Sequence, residues 1–266
     1  MSETKLGFIG AGNMAGAIIR GAVENDALAP NHVIVYDVDA DKVKALQDEL
    51  GVHGVSSLEA LCAASSMLLA AVKPNILGDV LKALTHVELP MVSIAAGWSG
   101  EHIKELYGNH KRVLRVMPNT PLMVGEGMSV FETPSSFTEH EMTFAKKLFG
   151  TMGKVSFAQC KQMDAVTAVS GSGPAYVFMF IEALADGGVL CGLPRAQAQT
   201  LAAQTVLGAA KMIMETGTHP GALKDAVCSP GGTTIEAVKS LEQSGLRGAV
   251  IEAVEVCAKK SAAMGK

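Results

Sequence analysis

The chain has 266 residues, 48 % of them apolar and 18 % charged, and a formal net charge of −4. That length holds one large or two modest domains with a real core, and an acidic balance without any Lys/Arg cluster excludes a basic nucleic-acid face. Cys62, Cys160, Cys191, Cys228 and Cys257 lie far apart with no CxxC, and the histidines are single, so neither a disulfide framework nor a metal site is expected.

The chain opens almost directly on an apolar run, Leu6–Ile9, with no charged leader before it, and the reading is of a cytoplasmic protein. Gly10-Ala11-Gly12 stops that run and a helical pattern starts at Asn13. This is the strand–turn–helix setting of a dinucleotide fingerprint: Gly10 makes the tight turn, Gly12 lets a pyrophosphate approach, and Ala15 is the third small position. A second strand, Val33–Tyr36, ends in Asp37, where an acid would accept ribose hydroxyls.

Further strands are predicted at 67–72, 91–95 and 112–116, with helices such as Asp41–Leu50 and Leu77–Leu84 between them. This alternation predicts a parallel, doubly wound α/β sheet over residues 1–160, a Rossmann-type dinucleotide-binding domain. Ligands of such sheets bind beyond the carboxyl ends of the strands. Four motifs converge there: Gly10 to Gly12, Ala71 to Pro74, Ala95 to Gly97 and Met117 to Thr120.

Residues 161–266 read as an all-α domain, with helices broken at Gly171–Pro174, Gly192–Pro194, Thr218–Gly221, Ser229–Gly232 and Ser244–Gly245. Pro174 and Pro194 suit helix starts. The longest apolar stretch, Ala175–Ile181, meets Glu182 far short of the roughly 18 residues of a membrane span, so no membrane partner is expected. Leu201–Met214 is apolar on more than one face, which asks for cover by a partner chain. Glu182 and Asp186 share a helix face and read as surface or dimer contact, and His219 beside Pro220 reads as structural. In Ser229-Pro-Gly-Gly-Thr-Thr234, two glycines allow close approach, while hydroxyls and a helix N-terminus suit a small carboxylate. A plain Gly-rich turn with Thr as a helix cap stays open as the alternative.

GFIGAGNMA, AVKP, SIAAG, RVMPNTP, SGSGPAYVF and SPGGTT occur here in one order over nearly the whole chain. Together they resemble pyrroline-5-carboxylate reductase, the family that makes L-proline by hydride transfer from NAD(P)H to the C=N bond of 1-pyrroline-5-carboxylate. The resemblance implies a homodimer through the helical domain, or a higher homo-oligomer. It assigns the substrate carboxylate to Ser229, Gly232, Thr233 and Thr234, with Thr234 also meeting the ring nitrogen as the catalytic contact. It assigns the cofactor to Gly10, Ala11, Gly12, Asn13, Met14, Asp37, Ser57, Ala71, Val72, Lys73, Pro74, Ala95, Ala96, Gly97 and Asn119, and no metal to any residue. Asn119 either orients the nicotinamide or substrate, or holds its own turn. Many relatives have small polar residues where Asp37 stands; a carboxylate there favours NADH, softened by Lys42 and Lys44, and NADPH is not excluded. Two rival readings are an NAD(P)H sensor without turnover and a related imine or β-hydroxyacid reductase. The latter relies on a helix-borne lysine, and Thr167–Asp186 contains none.

Overall fold

Leu6–Ile9 has no polar side chain to offer water, and all four residues are buried in strand β1 (Leu6–Ile9) of a computed structural model that describes residues 4–264. After it come α1 (Asn13–Glu24), β2 (Val33–Tyr36), α2 (Ala40–Leu50), the short β3 (His53–Gly54), α3 (Leu58–Ala64) and β4 (Met67–Ala70). The alternation continues through α4 (Pro74–Ala83), β5 (Met91–Ser93), α5 (Gly100–Tyr107) and β6 (Val113–Met117). Then β7 (Gly127–Thr133), α6 (Glu139–Gly150) and β8 (Gly153–Gln159) complete an eight-stranded sheet in the order β3-β2-β1-β4-β5-β6-β7-β8. Strand order reverses direction between β1 and β4, which opens the ligand crevice at their carboxyl ends.

The sheet departs from the expected all-parallel form at one place. β7 runs antiparallel to β6, because the 118–126 link carries only a 3-10 turn and no crossover helix. β8 is again parallel to β7, across α6. β3, β7 and β8 are absent from the strands predicted above. β3 is two residues long, and GMSVFET and GKVSFAQ are too mixed in polarity to read as buried runs.

Strand alternation splits the core between the two faces of the sheet. Leu6, Phe8, Val33, Val35 and Leu69 meet Ile18 and Ile19 of α1 on one face. Ile9, Ile34, Leu68 and Ala70 meet Leu61, Leu77 and Tyr107 on the other.

The chain forms two compact units. One runs to Ser172 and takes up the chain again from Val256; the other is Gly173–Glu255. Within the first, a single turn α7 (Met163–Val166) leads into a π turn, Thr167–Gly171. The end of the last helix belongs to this unit, where Ser261 Oγ donates to Asp164 Oδ1 at 2.7 Å and Cys257 Sγ to Ser172 Oγ at 3.2 Å. The second unit holds α8 (Gly173–Leu190), α9 (Arg195–Thr216), α10 (Pro220–Val227), α11 (Thr233–Gln243) and the start of α12 (Leu246–Met264).

Four of the five predicted helix breaks fall between these helices. The fifth, Gly171–Pro174, is no break: the π turn lets helical structure run from Cys160 to Leu190. That run is long and apolar enough by length and composition to cross a membrane, so the expectation that no stretch reaches this length is corrected. Only 11 % of its most apolar window is buried. α8 and α9 pack on one another through Ala185, Ala198 and Ala202, close enough that a Cβ on Gly188 would lie 3.2 Å from that of Ala198.

Candidate functional site

One candidate site, within the nucleotide unit, is built on the β1–α1 turn. Gly10 has φ +103°, and a Cβ there would lie 2.9 Å from the Ala71 carbonyl oxygen, so only glycine suits it. Its N–H donates to the Tyr36 carbonyl at 2.7 Å, and the Ala71 N–H donates to that of Ile9 at 2.9 Å. Gly12 is the N-cap of α1 without any side-chain cap. A Cβ on Gly12 would meet nothing within 4 Å. An uncapped helix N-terminus with open space beside Gly12 fits a dinucleotide pyrophosphate.

Asp37 ends β2 beside this turn. Its Oδ2 accepts the Ala11 N–H at 2.6 Å and its Oδ1 the Asp39 N–H at 2.9 Å. A cavity of about 360 Å³ lined by Tyr36, Asp37, Val38, Val43, Gly54 and Val55 lies at the same edge and is of a size for an adenosine. Ser57 caps α3 with its hydroxyl, accepting from the Ala60 N–H at 3.1 Å.

The remaining rim motifs are tied together by contacts the sequence does not announce. Lys73 is exposed and precedes Pro74, which starts α4. The indole N–H of Trp98 donates to the Pro74 carbonyl at 3.0 Å and so joins Ala71–Pro74 to Ala95–Gly97, where Gly97 has φ +80°. Glu132 accepts the Gly100 N–H and one nitrogen of the buried Arg115, each at 3.0 Å, and this pins the start of α5 behind the same loop. Trp98, as the one tryptophan of the chain next to a rim glycine, could have been suspected; nothing in the sequence pairs Arg115 with Glu132. Asn119 is 9 % exposed and its amide is engaged at both ends: Oδ1 accepts the Met128 N–H at 2.8 Å and Nδ2 donates to the Ser170 carbonyl at 3.1 Å. These bonds tie Asn119 to β7 and to the π turn rather than to its own 3-10 turn, and one amide hydrogen is left for a ligand.

A second candidate site lies within the helical unit. Gly231 has φ +67°, and Gly232 is the N-cap of α11, again without a side-chain cap. A Cβ on Gly232 would overlap Ser229 Oγ, 2.4 Å away, so Ser229 lies folded back over the glycine. Thr233 and Thr234 are the first residues of α11, and neither acts as its cap. Among the described residues the hydroxyls of Ser229, Thr233 and Thr234 have no partner. Three hydroxyls and the open first turn of a helix make a ready seat for a carboxylate.

The other sequence candidates take structural places. His219 caps α10, accepting the Gly221 N–H on Nδ1 at 3.1 Å. Asp186 pairs with Arg195, and both line, with Glu182, Phe178 and Met179, a surface groove of α8 and α9.

A Rossmann-type sheet with this turn, followed by a helical domain, defines the chain as an NAD(P)-dependent oxidoreductase. Residues 160–264 match the family described as pyrroline-5-carboxylate reductase dimerisation, and residues 5–97 that described as NADP oxidoreductase, coenzyme F420-dependent. The chain is 45 % identical to pyrroline-5-carboxylate reductase of Escherichia coli strain K12 over 99 % of both chains. It is also 45 % identical to that of Pisum sativum, over 96 % of this chain and 94 % of the other. The crystal structure of Plasmodium falciparum pyrroline carboxylate reductase with NADP bound superposes with a TM-score of 0.91 at 32 % identity, covering 100 % of each chain. The chain belongs to the pyrroline-5-carboxylate reductase family. It uses NAD(P)H, and residues 160–264 carry the family's dimerisation domain.

Proposed function

We propose that this chain reduces the C=N bond of 1-pyrroline-5-carboxylate with NAD(P)H to give L-proline. Residues 1–160 serve the dinucleotide; 161–266 serve the substrate and the pairing of subunits. The observation that carries the reading is the Ser229–Thr234 seat, since a protein that only sensed the cofactor would have no use for a second anion site.

When bound, NAD(P)H supplies a hydride to the imine carbon. The substrate arrives as, or readily becomes, a protonated iminium, so its carbon is electrophilic without a strong protein acid. The work left to the chain is orientation. The Thr233 and Thr234 amides and the Ser229 and Thr233 hydroxyls hold the substrate carboxylate, with Gly232 leaving room for the Ser229 side chain that folds over it. The Thr234 hydroxyl accepts from the ring N–H and fixes which face of the imine is presented. The Gly10–Gly12 turn and the amides of Asn13 and Met14 take the pyrophosphate. Ser57, Ala71, Val72, Lys73, Pro74, Ala95, Ala96, Gly97 and Asn119 line the rest of the dinucleotide path.

Asp37 places a carboxylate at the adenosine ribose, where it accepts hydroxyls and repels a 2′-phosphate. NADH is therefore used at least as well as NADPH. Lys42 is bound to Asp39 at 3.1 Å and so is only partly available to offset that repulsion. The exposed apolar faces of α8 and α9 are covered by a second copy, giving a cytoplasmic homodimer that can build larger assemblies. The test is direct. NADH and NADPH oxidation are followed with pyrroline-5-carboxylate as acceptor, and proline is the expected product. Binding of the dinucleotide with no imine reduction would turn the reading toward a sensor.

A further inference from the structure

Asp37 reads in sequence as a ribose acceptor, yet its carboxylate is already at work within the chain. Oδ2 accepts the Ala11 N–H at 2.6 Å, a short charge-assisted bond, and Oδ1 accepts the Asp39 N–H at 2.9 Å. Ala11 is the middle residue of the Gly10–Gly12 turn and is itself 8 % exposed. The peptide plane joining Gly10 to Ala11 is rigid, so fixing the Ala11 N–H fixes the Gly10 carbonyl and the direction in which the chain enters Ala11. The other anchor of the turn is the Gly10 N–H on the Tyr36 carbonyl, one residue from Asp37.

We infer that Asp37 is a positioning residue for the pyrophosphate-binding turn as well as an acceptor for the ribose. This rests on the reading that the dinucleotide binds at this rim. A carboxylate has about four lone-pair sites, so the bonds to Ala11 and Asp39 leave room for ribose hydroxyls. The consequence is a coupling: the charge that disfavours a 2′-phosphate and the acceptor that builds the turn are one side chain. A serine here removes the charge but, being one bond shorter, withdraws the acceptor from Ala11. An asparagine removes the charge and keeps an oxygen within reach of Ala11, giving up only the Asp39 bond, which is exposed to water. Cofactor preference can thus be moved by Asp37→Asn, whereas Asp37→Ser weakens both cofactors together.

The test separates turn from ribose with two ligands, ADP and 2′,3′-dideoxy-ADP, titrated calorimetrically into the full-length wild type, Asp37→Ser and Asp37→Asn. The dideoxy ligand offers Asp37 no hydroxyl. Asp37→Ser is expected to weaken both ligands by roughly tenfold or more, the scale of a lost charged hydrogen bond. Asp37→Asn should bring dideoxy-ADP back to within about threefold of wild type, since the bond to Ala11 is kept, and raise the NADPH-to-NADH affinity ratio. Asp37→Ser binding dideoxy-ADP like wild type, while losing ADP alone, would leave Asp37 a ribose ligand only and overturn the inference. So would equal losses of dideoxy-ADP in both variants. A ligand-free readout guards against a folding defect: the Ala11 amide proton resonance should move further in Asp37→Ser, where the bond is lost, than in Asp37→Asn, where it is kept as a neutral one, and an unmoved Ala11 in Asp37→Ser also overturns it. A wild type that binds neither ligand nor NAD(P)H would instead remove the underlying reading of this rim.

Discussion

The two compact units of this chain bury their apolar residues very differently. In the nucleotide unit, strands β1 and β4 have every residue buried, with helices on both faces of the sheet. In Gly173–Glu255 the buried residues are Ala185, Ala198 and Ala202, although α8 and α9 carry Phe178, Met179, Leu184, Leu201, Leu207 and Met212. Phe178 is 62 % and Met179 69 % exposed. A side chain of that size left in water forgoes about 1.5–3 kcal/mol of burial, and a contiguous patch of them marks a surface meant to be covered. One unit therefore completes its own core, while the other has apolar faces that the family's dimerisation role explains. The lesson is that apolar content says how much core a chain can make, and not whether one copy makes it.

The contrast can be broken most forcefully in the helical unit. The pair Phe178→Asp and Met179→Asp is expected to abolish the dimer. Each lost side chain is worth about 1.5–3 kcal/mol and counts twice across a two-fold interface. Sedimentation should show a monomer, with imine reduction lost; a stable dimer of normal activity would mean that another surface is used. The matching change in the nucleotide unit, Leu69→Ala, removes a fully buried side chain and should cost about 2–5 kcal/mol of stability while leaving the assembly intact, as read by denaturant unfolding beside light scattering. Were Leu69→Ala to dissociate the protein, the two units would not be independent in the way their burial suggests.

Thr234→Val keeps shape and removes a hydroxyl that has no partner among the described residues, so folding should be untouched. Losing its bond to a charged substrate should lower kcat/KM by about 1.5–3 kcal/mol, roughly 10- to 150-fold, with NADH affinity unchanged. A loss confined to KM would place the hydroxyl on the carboxylate alone; a fall in kcat as well would place it on the ring nitrogen. Normal kinetics would take Thr234 out of the site. The smallest effect is expected at Trp98→Phe, which removes the indole bond to Pro74 and should cost about 0.5–1.5 kcal/mol, visible as a modest rise in KM for the cofactor with the substrate KM unmoved.

Much of the site was legible because its pieces are local. Gly10 and Gly12 sit at fixed offsets from a buried strand, and Gly231 and Gly232 at fixed offsets from a helix start, so each announces its backbone geometry within a few residues. Asn119 shows where legibility stops. Its place in MPNTP suggested either a ligand or a turn, and only the fold brings Ser170 and Met128 to the two ends of its amide.

Read alone, then, the sequence determined the strands up to β6 except the two-residue β3, the helices after residue 173 with four of their breaks, the fingerprint turn and the glycine turn that opens α11. Each of these follows from periodicity, glycine and proline acting over a handful of neighbouring residues. Only the tertiary structure decided that β7 turns back antiparallel, that helix continues through Gly171, that Asp37 holds the Ala11 amide and that Trp98 ties Pro74 to the Ala95–Gly97 loop. The last two outcomes depend on groups 24 and 26 positions apart meeting at one spot, Trp98 with Pro74 and Ala11 with Asp37, and no local preference of the chain encodes such a meeting.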